Sequence, residues 1–246
     1  MARPNDTRER LIGAAIDLIE SSSFGAVSVD QICERAAVHK GSFYHYFPSK
    51  VDLALEAFEV AWSLESRPLF ERHFALDVPP LQRLTGLLTE FHRREVEAFE
   101  QTGHVRGCPF CTVGSEMANV DQRLRAKTDE LIERDLVHIE RALRDAHAEG
   151  AIPATDFHAK TQAIAALVLG TKLQAKLRND PAVLAGLAEQ VLEFVGARTA
   201  LATPKSTAKV AKRVAVARSK PASASSASAA RRRTTTTGTP RAKTRR

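Results

Sequence analysis

The strongest constraint in this sequence is its punctuation: stretches with apolar residues at three- and four-residue spacing, each bounded by residues that start or stop helices. Leu11, Ile12, Ala15, Ile16 and Ile19 form one such face, with Asp6 and Glu9 ahead of it as a capping-box pair. Ser28 and Gln31 make a second pair, opening a short helix to about Arg35, and a third short helix spans about Lys40 to Tyr46. Pro48 stops that helix. Ser49 caps the next, whose inward face is Leu53, Ala54, Ala57, Phe58 and Ala61. Longer helices are expected over about 80–101, 121–149, 155–177 and 180–198, with another opening at Pro109. No stretch alternates with period two. The chain reads as all-α, with roughly nine helices.

Charge divides the chain unevenly. Its 246 residues hold 36 Lys and Arg against 29 Asp and Glu, a formal net charge of +7. From Arg198 onward there are 14 basic residues and no acid, which leaves 22 bases against 29 acids in the preceding body, a net charge of −7. Such a stretch, rich in Ala, Ser, Thr, Lys and Arg without an aromatic, cannot bury enough apolar surface to offset its ordering entropy. Three regions are therefore expected: 1–48, 49–198, and a disordered tail over 199–246. The tail's charge points to a polyanion, and duplex DNA bound without sequence preference is the expected partner. Other classes drop out. The polar start predicts no secretory signal, the apolar run Ala163–Leu169 is far short of the ~20 residues of a membrane span, and three cysteines are too few for a disulfide framework. A soluble cytoplasmic protein, nucleoid-associated through its DNA contacts, is expected.

The spacing from Val29 to Phe47 is what a helix-turn-helix needs. Ile32, Ala36, Val38, Phe43 and Tyr46 sit where two short helices must pack on a third, Cys33 is small at their close approach, and Ala37 occupies the turn. The second short helix is then free to present Lys40, Ser42, Tyr44 and His45 to phosphates and base edges, with Lys50 nearby, while Gly41 lets the backbone approach closely. On spacing alone the alternative is a core patch with a merely solvated polar face. The string from Val38 to Lys50, preceded by Ser28-Val-Asp-Gln-Ile, resembles the signature of TetR/AcrR-type transcriptional regulators. That resemblance implies a three-helix DNA-binding module followed by a larger helical effector-binding and dimerisation domain. It implies phosphate contacts from Ser28, Tyr46 and Lys50, and base-edge or mixed contacts from Lys40, Ser42, Tyr44 and His45. The family often has Gly where Ala37 stands. A left-handed Ala costs roughly 1–2 kcal/mol, so this turn is expected to be tightened in another way.

The resemblance also implies a homodimer on a palindromic operator and release by a small-molecule effector, most simply as a repressor. Ala163, Ala166, Leu167, Gly170 and Leu173 with Val183, Leu187, Val191 and Phe194, on the last two helices, are the expected intersubunit surface. The rival is a nucleoid-associated architectural protein dominated by its tail. Nothing in the residues points to an enzyme or a cofactor.

Gly107-Cys108-Pro109-Phe110-Cys111 is the most informative stretch of the larger domain. Proline at the first helical position makes Cys108 the expected N-cap, where the helix dipole favours a thiolate, with His104 and Arg106 just upstream. Four readings stay open: two packed small residues, a sensor of electrophiles or oxidants centred on Cys108 with Cys111 as partner, a metal site from Cys108, Cys111 and His104, and a thioredoxin-like enzyme, which lacks a surrounding βαβ pattern. Trp62, Phe91, Phe99 and Met117, with Glu116, are expected pocket residues.

Overall fold

The computed structural model describes residues 4–22 and 24–197, and its described elements are all helices. The basic tail lies outside the described residues. Ten α-helices follow in order: α1 (Pro4–Ser21), α2 (Val29–Ala36), α3 (Lys40–Tyr46), α4 (Lys50–Ala61), α5 (Arg67–His73), α6 (Pro80–Thr102), α7 (Pro109–Met117), α8 (Gln122–Ala148), α9 (Phe157–Arg178) and α10 (Leu187–Phe194). Among the described residues no helix is long and apolar enough to cross a membrane.

Local chemistry explains most of these boundaries. Ser28 Oγ accepts from the Gln31 N–H at 3.2 Å and Gln31 Oε1 accepts from the Ser28 N–H at 2.8 Å, the reciprocal box expected at the start of α2. The pair expected at α1 is different. The helix already begins at Pro4, so Asp6 sits inside its first turn, 3.6 Å from Arg10 Nε. Proline is pre-organised for that first position, and an acid in the first turn suits the helix dipole.

The turn between α2 and α3 corrects a second expectation. Ala37 is left-handed, with φ 53° and ψ 49°. Its N–H donates to Glu34 O at 3.1 Å and that of Val38 donates to Cys33 O at 2.9 Å, a Schellman arrangement. Arg10 Nη1 donates to the carbonyls of Ala36 and Ala37 at 3.0 and 3.2 Å. These bonds hold the alanine in a conformation that glycine adopts freely.

Two further differences arise in the larger part. The helix beginning at Lys50 does not end near Trp62; it passes through a π-helical turn, Trp62–Ser66, into α5. Pro68 follows directly, and the widened turn just before it absorbs the missing N–H and the ring's clash with the preceding carbonyls. The single helix expected over 180–198 is instead a 3₁₀ turn, Pro181–Leu184, followed by α10, with Gly186 at φ +80° between them. The break turns Leu184, Leu187 and Val191 all inward, each 2 % exposed or less.

Two cores result. Around the second, Leu84, Leu87, Leu143, Ile164 and Val191 join α6, α8, α9 and α10. The first is shared: Leu11, Ile32, Phe43, Leu53 and Phe58 from α1–α4 pack with Phe110, Val113 and Met117 of α7 and Leu124 and Leu131 of α8. Phe58 meets Phe110 edge-on with ring centres 5.5 Å apart. α7 also lies tightly on α8, where a Cβ at Gly114 would fall 2.6 Å from Thr128 Oγ1. α7, together with α4 and α8, therefore joins the N-terminal module to the rest.

Candidate DNA-reading surface and cavity

α3 has two unlike sides. Phe43 is fully buried, while Lys40, Gly41, Tyr44 and His45 are exposed on the other side, at positions one helical turn apart. Ser42 and Tyr46 are half-buried, and Ser28 is exposed at the start of α2. Tyr44 leaves 52 % of its surface open, while its ring meets that of Phe43 edge-on at 5.1 Å. A Cβ at Gly41 would meet nothing within 4 Å. Glycine inside a helix costs roughly 1 kcal/mol relative to alanine, and here neither packing nor backbone geometry within the protein calls for it. The Lys40 ammonium lies 2.8 Å from Asp30 Oδ1, and that hydrogen bond raises its pKa.

Lys50 points elsewhere. Its Nζ donates to Phe24 O and Val27 O, both at 2.8 Å, and sits 4.3 Å from the centre of the Phe24 ring. Burial lowers its pKa, opposed by the nearby Glu116 carboxylate. Expected as a phosphate contact, it serves in this structure as a brace for the loop leading into α2. Glu116, near the end of α7, holds the same loop from the other side, accepting from the N–H of Phe24 at 3.1 Å and of Gly25 at 2.7 Å. The sequence reading placed Glu116 in a pocket; its acceptor geometry depends on tertiary packing across 92 positions of chain.

The other end of α7 reaches a cavity of about 150 Å³ between α4–α5, α6, α8 and α9. Its walls are mostly apolar, including Leu69, Phe70, Leu87, Phe91, Leu136 and Ile139, with Glu65, Ser66, Arg94, Glu95, Arg106, Cys108, Asp135 and Lys172 as the polar contributors. Cys108 is the N-cap of α7 as expected, its Sγ 3.5 Å from the Cys111 N. Cys111 does not line the cavity, and burial pushes its thiol pKa up. Cys33 is likewise pushed up by burial in the first core. Among the described residues no group of three or more His, Cys, Asp or Glu is placed to hold a metal, so Cys108, Cys111 and the exposed His104 are not gathered into a site.

Of the four expected pocket residues only Phe91 lines the cavity. Met117 belongs to the first core and Phe99 packs against the second, because neighbouring helices decide which way an apolar residue turns. Trp62 contributes at one remove, its indole N–H donating to Asp135 Oδ1 at 2.9 Å. Burial pushes the Asp135 carboxyl up to about 6, partly offset by that bond and by Lys172 and Arg134. Spacing carried a signal for it: Leu131, Asp135 and Ile139 recur every four residues along one side of α8. A raised acid pKa penalises the folded state increasingly as pH rises from the unfolded value near 3.8, and the penalty is complete above about 6. Asp135→Asn is thus expected to stabilise the protein by about 2–3 kcal/mol at pH 7.5. Urea denaturation of both proteins should show that gap closing between pH 6 and 4.

Comparison with known proteins decides the family. Residues 11–57 match the bacterial regulatory proteins of the tetR family, and residues 80–191 match the tetracyclin repressor-like C-terminal domain. The transcriptional regulator AcuR of Cereibacter sphaeroides is 32% identical over 70% of this chain and 78% of its own. The chain belongs to the TetR family. A second TetR-family relative, the HTH-type transcriptional repressor NemR of Escherichia coli K12, is 29% identical over 72% of this chain and 87% of its own. The crystal structure of regulatory protein TetR from Rhodobacter sphaeroides superposes with a TM-score of 0.66 at 30% identity, covering 76% of this chain and 97% of that one. The reduced form of E. coli NemR gives a TM-score of 0.68 at 22% identity and shares the fold. As a TetR-family member the chain is a DNA-binding transcriptional regulator and not an enzyme. The family matches stop at residue 191, short of the basic tail.

Proposed function

We propose that this protein is a homodimeric repressor that binds a palindromic operator and is released by a small effector. The exposed side of α3 carries the reading. In it residues 1–48 form the DNA-binding module and 49–198 the effector and dimer domain. Lys40, Gly41, Ser42, Tyr44 and His45 face the major groove, Ser28 and Tyr46 contact phosphate, and Lys50 positions the loop behind them. Repression is the activity named for the relative NemR. Dimerisation uses the outer side of α9, where Ala163, Ala166, Leu173 and Leu177 are exposed, together with Phe194 of α10. Leu187 and Val191, expected at the same interface, are buried in their own protomer's core.

The effector acts through the cavity, and Cys108 on its wall is the residue that senses thiol-reactive compounds. What supports this is position: Cys108 caps the start of the same helix whose Glu116 grips the loop before α2. An effector need only favour a placement of α7 that the operator-bound dimer disfavours. Treatment with N-ethylmaleimide should release the wild-type protein from its operator in a gel shift, whereas Cys108→Ser should bind the operator equally well and resist release. An unaltered response in that variant removes the sensing role.

The tail adds sequence-independent attraction. The 13 positive charges of residues 199–246 steepen the salt dependence of binding by about 0.9 in log–log slope for each phosphate neutralised. Deleting residues 199–246 should make that slope shallower by several units and leave sequence preference unchanged. An architectural protein would lose nearly all binding on the same deletion.

A further inference from the structure

The cavity wall carries two cations that, among the described residues, form no ion pair within 4.0 Å. Arg106 lines it, and among the described residues no carboxylate lies within 4.0 Å of its guanidinium. Its Nε is buried and has no hydrogen-bond partner. Lys172, also on the wall, has its Nζ 4.3 Å from the centre of the Phe91 ring, again with no carboxylate within 4.0 Å. The two belong to one side of the cavity, since a Cβ at Gly107 would lie 3.7 Å from Lys172 O. Arg94 differs, being paired with Glu90 at 3.1 Å.

The acids of the wall do not neutralise this side at close range. Glu95 Oε2 accepts from the backbone N–H of Arg106 at 2.9 Å and of Gly107 at 3.3 Å. Asp135 takes the Trp62 indole and attracts Lys172 only from beyond 4.0 Å, and Glu65 is exposed. A buried donor without an acceptor is costly and rare in folded proteins, and at a binding site a ligand is a natural supplier of the missing acceptor. The remaining surface is aliphatic and aromatic. A dry cavity of roughly 150 Å³ in another protein accommodates a benzene ring, which sets the size of the guest.

We propose that the cavity binds a small carboxylic acid of about the size of benzoate, its carboxylate held by Arg106 and Lys172 and its apolar body against Leu87, Phe91 and Leu136. This rests on the reading of the cavity as the effector site, and deepens it by naming the ligand class. Binding is reversible and independent of the Cys108 thiol.

Calorimetric titration of the full-length protein with benzoate, benzamide and benzylamine at matched ionic strength tests it. Benzoate is expected to bind at least tenfold tighter than benzamide, and benzylamine to give no measurable binding. Arg106→Gln and, independently, Lys172→Met should each weaken benzoate at least tenfold and leave benzamide unchanged. Absence of benzoate binding, equal or tighter binding of benzamide or benzylamine, or unchanged benzoate affinity in both variants would overturn the proposal. Operator binding by the same preparations is scored separately. Loss of operator recognition with benzoate binding intact counts against the regulator reading alone.

Discussion

Gly41→Ala is expected to yield a more stable protein that binds its operator at least 30-fold more weakly. The two effects have opposite signs, which is the point of the variant. Within the protein the added methyl meets nothing within 4 Å, and the helical backbone at this position gains about 1 kcal/mol from alanine. On DNA the same methyl stands in the middle of the exposed side of α3, between Lys40 and Tyr44. Loss of one good contact costs about 1–3 kcal/mol per half-site, and a dimer loses it twice. Chemical denaturation and fluorescence anisotropy on one preparation measure both quantities. A variant that is stabilised and binds normally would show that α3 does not approach the groove at Gly41.

Glu116→Ala is expected to uncouple the cavity from the DNA-binding module. The carboxylate is the acceptor for the N–H groups of Phe24 and Gly25, and Lys50 holds the carbonyls of Phe24 and Val27 from the other side. Removing it leaves the loop to Lys50 and to the buried side chains of Phe24 and Val27, and costs about 1–3 kcal/mol in stability. Operator binding should survive, because the capping box and the buried side of α3 remain. Release should not. Coupling free energies between sites are typically about 1–3 kcal/mol, or 5- to 150-fold in affinity, and in this variant the change in operator affinity on N-ethylmaleimide treatment should shrink to twofold or less. Mass spectrometry should find Cys108 modified as readily as in the wild type. Full release by the modified variant would place the coupling elsewhere.

What could be read in advance followed the range of the interactions involved. The box at Ser28 and Gln31, the cap at Cys108 before Pro109, and the inward face of Leu53, Ala54, Ala57 and Phe58 each depend on neighbours within a turn or two of helix. Those were legible. Ala37 was not, because local propensity argues against a left-handed alanine and only the bonds from Arg10 and the α2 end reveal it. The π turn at Trp62–Ser66 was not legible either, because such a turn has no sequence signature comparable to a cap. The inward aim of Lys50 and the grip of Glu116 are set by partners 20 or more residues away. Lys172 lay between those extremes. Val168, Lys172 and Ala175 share one side of α9, so the spacing already placed a cation on a buried face.

The central claim is that the folded module, and not the tail, chooses the DNA sequence through α3 in a twofold dimer. In vitro selection from random duplexes, run with a chain ending at Ala197, tests it most directly. The expected product is an inverted repeat whose half-site centres lie about one helical turn or more apart. Selection that enriches no sequence, or only a single unrepeated site, would contradict the account.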